Sequence, residues 1–283
     1  MMPLLQARHT DNPLTAEEVE LYKDQGFLLV DRPLIPLAAL DGVRARLDSL
    51  FDRFHELPAE HAKDLAPGAR AGEPPRIPEI TETTKLSPAL LRSEVLTICS
   101  SVARQLHGPA TQLVFDHAIY KPPLNEAATS WHQDAAYAPD GELGVGIWIP
   151  LQDVGPEGGC MRFVPGSHKA GLTRHGVVQS DANPHLLAAS VDDDEVVACP
   201  VRAGGFVMHN TYTLHSTGPN CAGVTRRVWI LNFSCTTVSG TPRSRARLRA
   251  AAFAQLAKER LTAHQPAHPA TNSPARPSTP APH

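Results

Sequence analysis

The sequence predicts a mainly-β protein, an antiparallel sandwich or jelly roll with N-terminal helices packed outside it. Three observations carry that expectation. From about residue 111 the chain breaks into short β-prone runs, "TQLVFDHAIYK", "GVGIWIPLQDV", "CMRFVPG", "EVVACPV", "GGFVMHN" and "RRVWILNFS". Gly, Pro, Asn and Asp separate them, as in strands joined by turns. No clear helical period intervenes between the runs, which argues against alternating βαβ units.

The elements follow in order. In "LTAEEVELYKDQGFLLVD", Thr15 and Glu18 form a capping-box pattern, with Leu14 and Val19 as the hydrophobic staple beside it. Gly26 stops this first helix, and "FLLV" reads as a short strand. Leu37, Leu40, Val43, Leu47, Leu50 and Phe54 recur at mixed three- and four-residue spacing, the apolar stripe of a second helix. Residues 57–83 are rich in Pro and Gly without a period. They predict a long flexible segment over the mouth of the barrel that orders when substrate binds. Ser87-Pro88 predicts the opening of a third helix that runs to near residue 107. The main domain is expected over 14–240, followed by a basic helix over 241–263 and a Pro-rich tail over 264–283 with the composition of a disordered segment.

Composition narrows the function classes. With 283 residues and a hydrophobic fraction of 42%, the chain can build one substantial core. A formal net charge of -3 points to neither nucleic acid nor a membrane surface. The first thirty residues carry charges throughout and no apolar h-region, so no signal peptide is visible, and no apolar run is long enough to span a bilayer. The five cysteines are scattered and never in CxxC spacing, which suits reduced thiols of a cytoplasmic protein. A small-molecule substrate is the expected partner, and the oligomeric state is left open.

The chemistry begins at "TSWHQDAAY", where His132 and Asp134 stand two positions apart. On a strand they would project together from one face, ready for an ion. A solvated polar face would carry the same pattern. A second histidine must come from a distant strand, and "GGFVMHNTYTLHSTGPN" offers His209 and His215. Two imidazoles and one carboxylate leave one side of an octahedral ion open, the ligand set of non-haem Fe(II) oxygenases. Zinc accepts the same set. Arg226 follows on what is expected to be the neighbouring strand, where either it or Arg227 must point inward. A buried guanidinium calls for an anion, and its planar fork matches a carboxylate. Two ordinary charges at a strand edge are the other reading.

Together, "KPP" (121–123), "WHQD" (131–134), "WIPLQDV" (148–154), "EGGCMRFVPGSHK" (157–169) and the His215/Arg226 pair resemble the phytanoyl-CoA dioxygenase family. The opening "LTAEEVELYKDQGFLLV" is similar to that family's start, and the resemblance runs from about 14 to 235. It implies a double-stranded β-helix, the cupin-like jelly roll, and an Fe(II)- and 2-oxoglutarate-dependent dioxygenase. It implies His132, Asp134 and His215 as catalytic iron ligands. Arg226 would take the far carboxylate of 2-oxoglutarate with Thr217 in support, and Trp148 and Lys85 would lie near the cosubstrate. The implied reaction uses O2, hydroxylates a C–H bond of a small molecule or acyl thioester, and releases succinate and CO2. Retention of Asp134 separates the chain from related halogenases, which carry a small residue there. His117 reads as a packed strand residue or a substrate contact, His168 as a loop-structuring residue, and Arg162 as a solvated or substrate-anchoring arginine. Arg243, Arg245, Arg247 and Arg249 read as a solvated run with a phosphate-bearing substrate as the alternative. Two other classes stay open: a cupin-like zinc hydrolase or isomerase, which has no need of Arg226, and a catalytically silent binding protein, which should lack a ligand.

Overall fold

The computed structural model describes residues 12–70, 72–137, 144–178, 187–191 and 195–234. The expected C-terminal helix, tail and arginine run lie outside these residues.

Helix α1 (Ala16–Gln25) starts where its cap predicts. The Thr15 hydroxyl accepts the Glu18 amide at 3.1 Å, and the Glu18 carboxylate accepts the Thr15 amide at 2.8 Å. Gly26 ends it at φ 80°, a left-handed conformation that glycine adopts without strain. A Cβ there would collide with the His168 ring, whose Nε2 lies 3.0 Å from the Lys23 carbonyl. His168 therefore braces this corner, as its loop position suggested. Strand β1 (Phe27–Val30) follows, and then α2 (Leu37–Phe51), which buries Leu40, Val43, Leu47 and Leu50. Leu37 is exposed and Phe54 lies in the 3-10 turn beyond the helix, so the buried stripe is shorter than its sequence pattern.

Residues 57–83 depart from expectation. They supply two strands, β2 (Ala62–Asp64) and β3 (Pro78–Thr81), that pair with each other and extend the main sheet through β3. The Asp64 carboxylate accepts the amides of Ala66, Arg76 and Ile77 at 2.8 to 3.0 Å, and Ala66, Ala69 and Ile77 are buried. Side-chain hydrogen bonding thus organises a stretch whose strands are too short to show a period. The third helix also begins later than expected. After α3 (Thr83–Leu86), Pro88 heads a 3-10 turn, and α4 (Glu94–His107) starts at Ser93, whose hydroxyl accepts the Leu96 amide at 3.2 Å.

The remaining strands are β4 (Gln112–Lys121), β5 (Thr129–His132), β6 (Gly144–Pro150), β7 (Met161–Phe163), β8 (Gly176–Val177), β9 (Leu187–Ala188), β10 (Val197–Cys199), β11 (Phe206–Asn210), β12 (His215–Thr217) and β13 (Arg226–Ser234). A seven-stranded sheet runs β1-β11-β6-β13-β4-β3-β2 and a four-stranded sheet runs β10-β7-β12-β5, with β8 and β9 forming a small ribbon. The named pairs are antiparallel, and strands distant in sequence lie side by side, as in a jelly roll.

Alternation along β6 and β13 builds two cores. Val145, Ile147, Ile149, Trp229 and Leu231 face outward, where Leu40, Leu47, Val95 and Val102 of the helices cover them. Trp148, Val228 and Ile230 face inward, toward Met161, Phe163 and Cys199 of the smaller sheet. The inner layer is where polar side chains must find partners. Among the described residues no helix is long and apolar enough to cross a membrane, and Cys99, Cys160, Cys199 and Cys221 are free.

Candidate metal centre and anion pocket

Strand β5 ends at His132, and Asp134 opens a 3-10 turn (Asp134–Tyr137). The two side chains therefore do not share one strand face, which corrects the premise of the sequence reading. They converge because the residue between them is anchored. Gln133 is fully buried, its amide donates to the Gly171 and Tyr212 carbonyls at 2.9 and 2.5 Å, and its oxygen accepts the Thr173 amide at 2.8 Å. That tether rolls the chain over and turns the Asp134 carboxylate back toward His132.

Strand β12 brings the third member. His215 pairs in register with His132, and the ring centroids lie 4.2 Å apart. One ligand atom from each of His132, Asp134 and His215 falls within 4.8 Å of the others. Each histidine donates from Nδ1 to a carbonyl two residues back, Ser130 at 2.8 Å and Thr213 at 2.9 Å. That fixes the tautomer and leaves the Nε2 lone pairs free, 3.8 and 3.6 Å from Asp134 Oδ1. Burial pushes the pKa of both imidazoles down, well down for His215, where neighbouring His209 and His132 add to the effect. Burial opposes ionisation of Asp134, but the field of His215 and the hydrogen bond from His209 outweigh it and hold the carboxyl well below the usual carboxylate range. Neutral imidazoles beside an ionised carboxylate are the protonation states that a divalent cation requires.

His209, the rival histidine, stands behind this group. It is buried on β11, and its Nε2 lies 3.1 Å from Asp134 Oδ2, the oxygen turned away from the other two histidines. Asn232 Nδ2 approaches the same oxygen at 3.4 Å. Across the strand pair from His209 sits Gly146, where a Cβ would come within 2.8 Å of the His209 ring and 3.3 Å of Asp134 Oδ2. His209 thus orients the carboxylate instead of joining the cluster. We expect His209→Asn to weaken metal binding about 10- to 100-fold without abolishing it, as for other groups that orient a ligand. A chelator-competition titration checks this, and unchanged affinity would show that Asp134 needs no support.

The second half of the site is cationic. Arg226 points inward from β13 and is 2% exposed, whereas Arg227 points outward, contacts Asp48 at 2.9 Å and lies over the Tyr120 ring. Strand β13 belongs to the large sheet and β12 to the small one, so Arg226 faces His215's strand across the barrel instead of lying beside it. Its Nη1 donates to the Gly159 carbonyl at 3.0 Å, its guanidinium lies 5.5 Å from the Trp148 ring centre, and its buried Nε has no hydrogen-bond partner. Burial pulls its pKa down to about 9, still well above neutrality, so the group stays cationic. Thr217, two residues past His215, bonds to Thr129 Oγ1 at 2.9 Å and receives Lys121 Nζ at 3.0 Å.

Lys85 is placed elsewhere. Its side chain is 62% exposed at the end of α3 and pairs with Glu82, whereas Arg226, Thr217 and Trp148 are buried. The buried lysine of this region is Lys121, quoted in the "KPP" motif but given no role by sequence reasoning. Inward alternation with Ile119 on a β-strand was the signal that could have found it. His117, also inward on β4, has Nδ1 2.6 Å from Glu79. Arg162 lies over the Trp131 ring and bonds Ser216 at 3.2 Å, so it is neither freely solvated nor aimed at the cluster.

A jelly roll that carries two imidazoles and a carboxylate in its mouth, with a buried unpaired guanidinium deeper in, has the form of a 2-oxoglutarate-dependent non-haem iron oxygenase. The donor set fits Fe(II), and the unpartnered Nε of Arg226 fits a carboxylate. The chain matches the model of the family described as phytanoyl-CoA dioxygenase over residues 22–228, and it belongs to that family of iron- and 2-oxoglutarate-dependent enzymes. A phytanoyl-CoA dioxygenase domain-containing protein 1 of Danio rerio is 24% identical over 264 residues, which cover 76% of this chain and 88% of the relative. A probable alpha-ketoglutarate-dependent hypophosphite dioxygenase of Stutzerimonas stutzeri is 30% identical over 156 residues, 52% of each protein. Among solved structures, EvdO2 of Micromonospora carbonacea var. aurantiaca in complex with 2-oxoglutarate superposes with a TM-score of 0.67 at 29% identity, covering 82% of this chain and 96% of EvdO2.

Proposed function

We propose that residues 14–240 form the catalytic domain of a cytoplasmic hydroxylase acting on a small molecule, with His132, Asp134 and His215 holding Fe(II). The observation that carries this reading is Arg226, a fully buried cation with an unpartnered Nε on the wall opposite the histidine cluster. Its fork takes the distal carboxylate of 2-oxoglutarate, Thr217 adds a hydroxyl, and Trp148 closes the pocket beside both. Bound iron supplies the activation of O2, which oxidises a substrate C–H bond while 2-oxoglutarate is converted to succinate and CO2. The chain's residues fix ligand tautomers, exclude water between the two sheets and place the cosubstrate. EvdO2, crystallised with 2-oxoglutarate, supports this assignment at 29% identity. A zinc hydrolase on the same three ligands would have no use for a guanidinium buried opposite them, and a silent binding protein would not need the His209 support of Asp134.

Anaerobic addition of Fe(II) and then 2-oxoglutarate tests the proposal. A visible charge-transfer band should appear only when both are present, followed by succinate release on admission of air. Tight zinc binding with no band would favour the hydrolase.

A further inference from the structure

Lys121 is buried at 0% exposure on β4, and its amine is hydrogen-bonded to neutral oxygens. Nζ donates to the Gly218 carbonyl at 2.7 Å and to Thr217 Oγ1 at 3.0 Å, with the Thr217 carbonyl at 3.5 Å. Its neighbour in strand register is Arg226, and Arg162 of β7 adds a third positive charge within electrostatic range. The Cys160 thiol beside Arg226 is kept neutral, because burial pushes its pKa up. An apolar side chain would fill such a place at less cost than a lysine facing two arginines. Stability alone therefore does not explain the residue.

We propose that Lys121 is a positioning residue for the cosubstrate: it holds the Thr217 hydroxyl and the Thr217–Gly218 backbone so that hydroxyl and Arg226 together face the distal carboxylate. This rests on the reading of Arg226 and Thr217 as the 2-oxoglutarate pocket. A hydroxyl has one proton and two lone pairs. Lys121 fills one of the two lone pairs, which biases Thr217 toward offering its proton. It points to Thr129, and a carboxylate arriving beside Arg226 takes it instead. Without Lys121 the hydroxyl can donate to the Gly218 carbonyl and turn its lone pairs toward the anion.

A second consequence separates positioning from mere packing. Burial, with Arg226 and Arg162 adding repulsion, brings the Lys121 pKa down to about 6. An anion in the pocket raises it, so cosubstrate binding takes up a proton at pH values above about 6. Affinity should therefore fall as pH rises through the neutral range and level off below about 6, where Lys121 is already charged.

The test is calorimetric titration of 2-oxoglutarate into the Mn(II)-loaded full chain, at several pH values and in buffers of low and high ionisation enthalpy. We expect proton uptake by the wild type, and about tenfold weaker, pH-independent binding without uptake by Lys121→Met, the loss of a hydrogen bond to a charged group. Thr217→Val, which removes the hydroxyl at constant shape, should weaken binding similarly and serves if Lys121→Met does not fold. A Lys121→Met or Thr217→Val protein with wild-type affinity and pH dependence would overturn the proposal while leaving the cosubstrate assignment intact. Failure of the wild type to bind 2-oxoglutarate would overturn both.

Discussion

His132→Ala and His215→Ala proteins will hold no iron against a mild chelator and will release no succinate. Each substitution removes one of three donors that lie within 4.8 Å of one another, and His209 cannot take over while it is engaged at 3.1 Å with the outer oxygen of Asp134. Both variants should fold with nearly unchanged denaturant midpoints. The large apolar core lies on the other side of the main sheet, between it and the helices, and neither histidine belongs to it. Asp134→Ala should retain weak metal binding through the two imidazoles. Iron content and succinate release on the same preparations decide the matter. Full activity of His215→Ala would move the ligand role to His209, whose ring centre is 4.0 Å from that of His215.

Arg226→Ala will raise the 2-oxoglutarate requirement steeply and leave Fe(II) binding nearly intact. The distal carboxylate is desolvated in the pocket, and leaving one member of a buried charge pair alone costs on the order of 3–5 kcal/mol. At about 1.4 kcal/mol per tenfold, that is a loss of roughly a hundredfold or more. Arg227→Ala should do little, because its ion pair with Asp48 is about one-third exposed on both sides and such pairs contribute about 0–1 kcal/mol. Succinate release measured across a 2-oxoglutarate titration distinguishes the two. Equal behaviour of Arg226→Ala and the wild type would remove 2-oxoglutarate as the cosubstrate.

The residues that were easiest to read are those whose chemistry is local. Thr15, Glu18 and Gly26 announce a helix start and stop because capping is settled within a few residues. The long strands β4, β6 and β13 announce themselves by composition. Arg226 and Arg227 were legible as an inward and outward pair because alternation admits only that. Elements held by side-chain anchors were hidden. β3 is four residues long and is kept in place by its sheet neighbour and the Asp64-bound turn before it. The convergence of His132 with Asp134 depends on Gln133, whose partners come from residues 171–173 and 212. No local pattern contains that information. Lys85 sits on the short helix α3, where its exposure depends on the turn and not on any motif. Lys121 went unassigned because strand burial, not motif membership, makes a lysine unusual.

Gly146 has a consequence for how the chain can change over evolutionary time. The space a methyl group would need there is filled by the His209 ring and the edge of the Asp134 carboxylate. Substitutions at these positions are therefore not interchangeable in order. A larger residue at 146 becomes admissible only after His209 has shrunk or moved, whereas changes at 209 can occur while 146 is still glycine. A lineage that enlarges position 146 would have to give up the His209 ring first, and with it the contact that steadies Asp134.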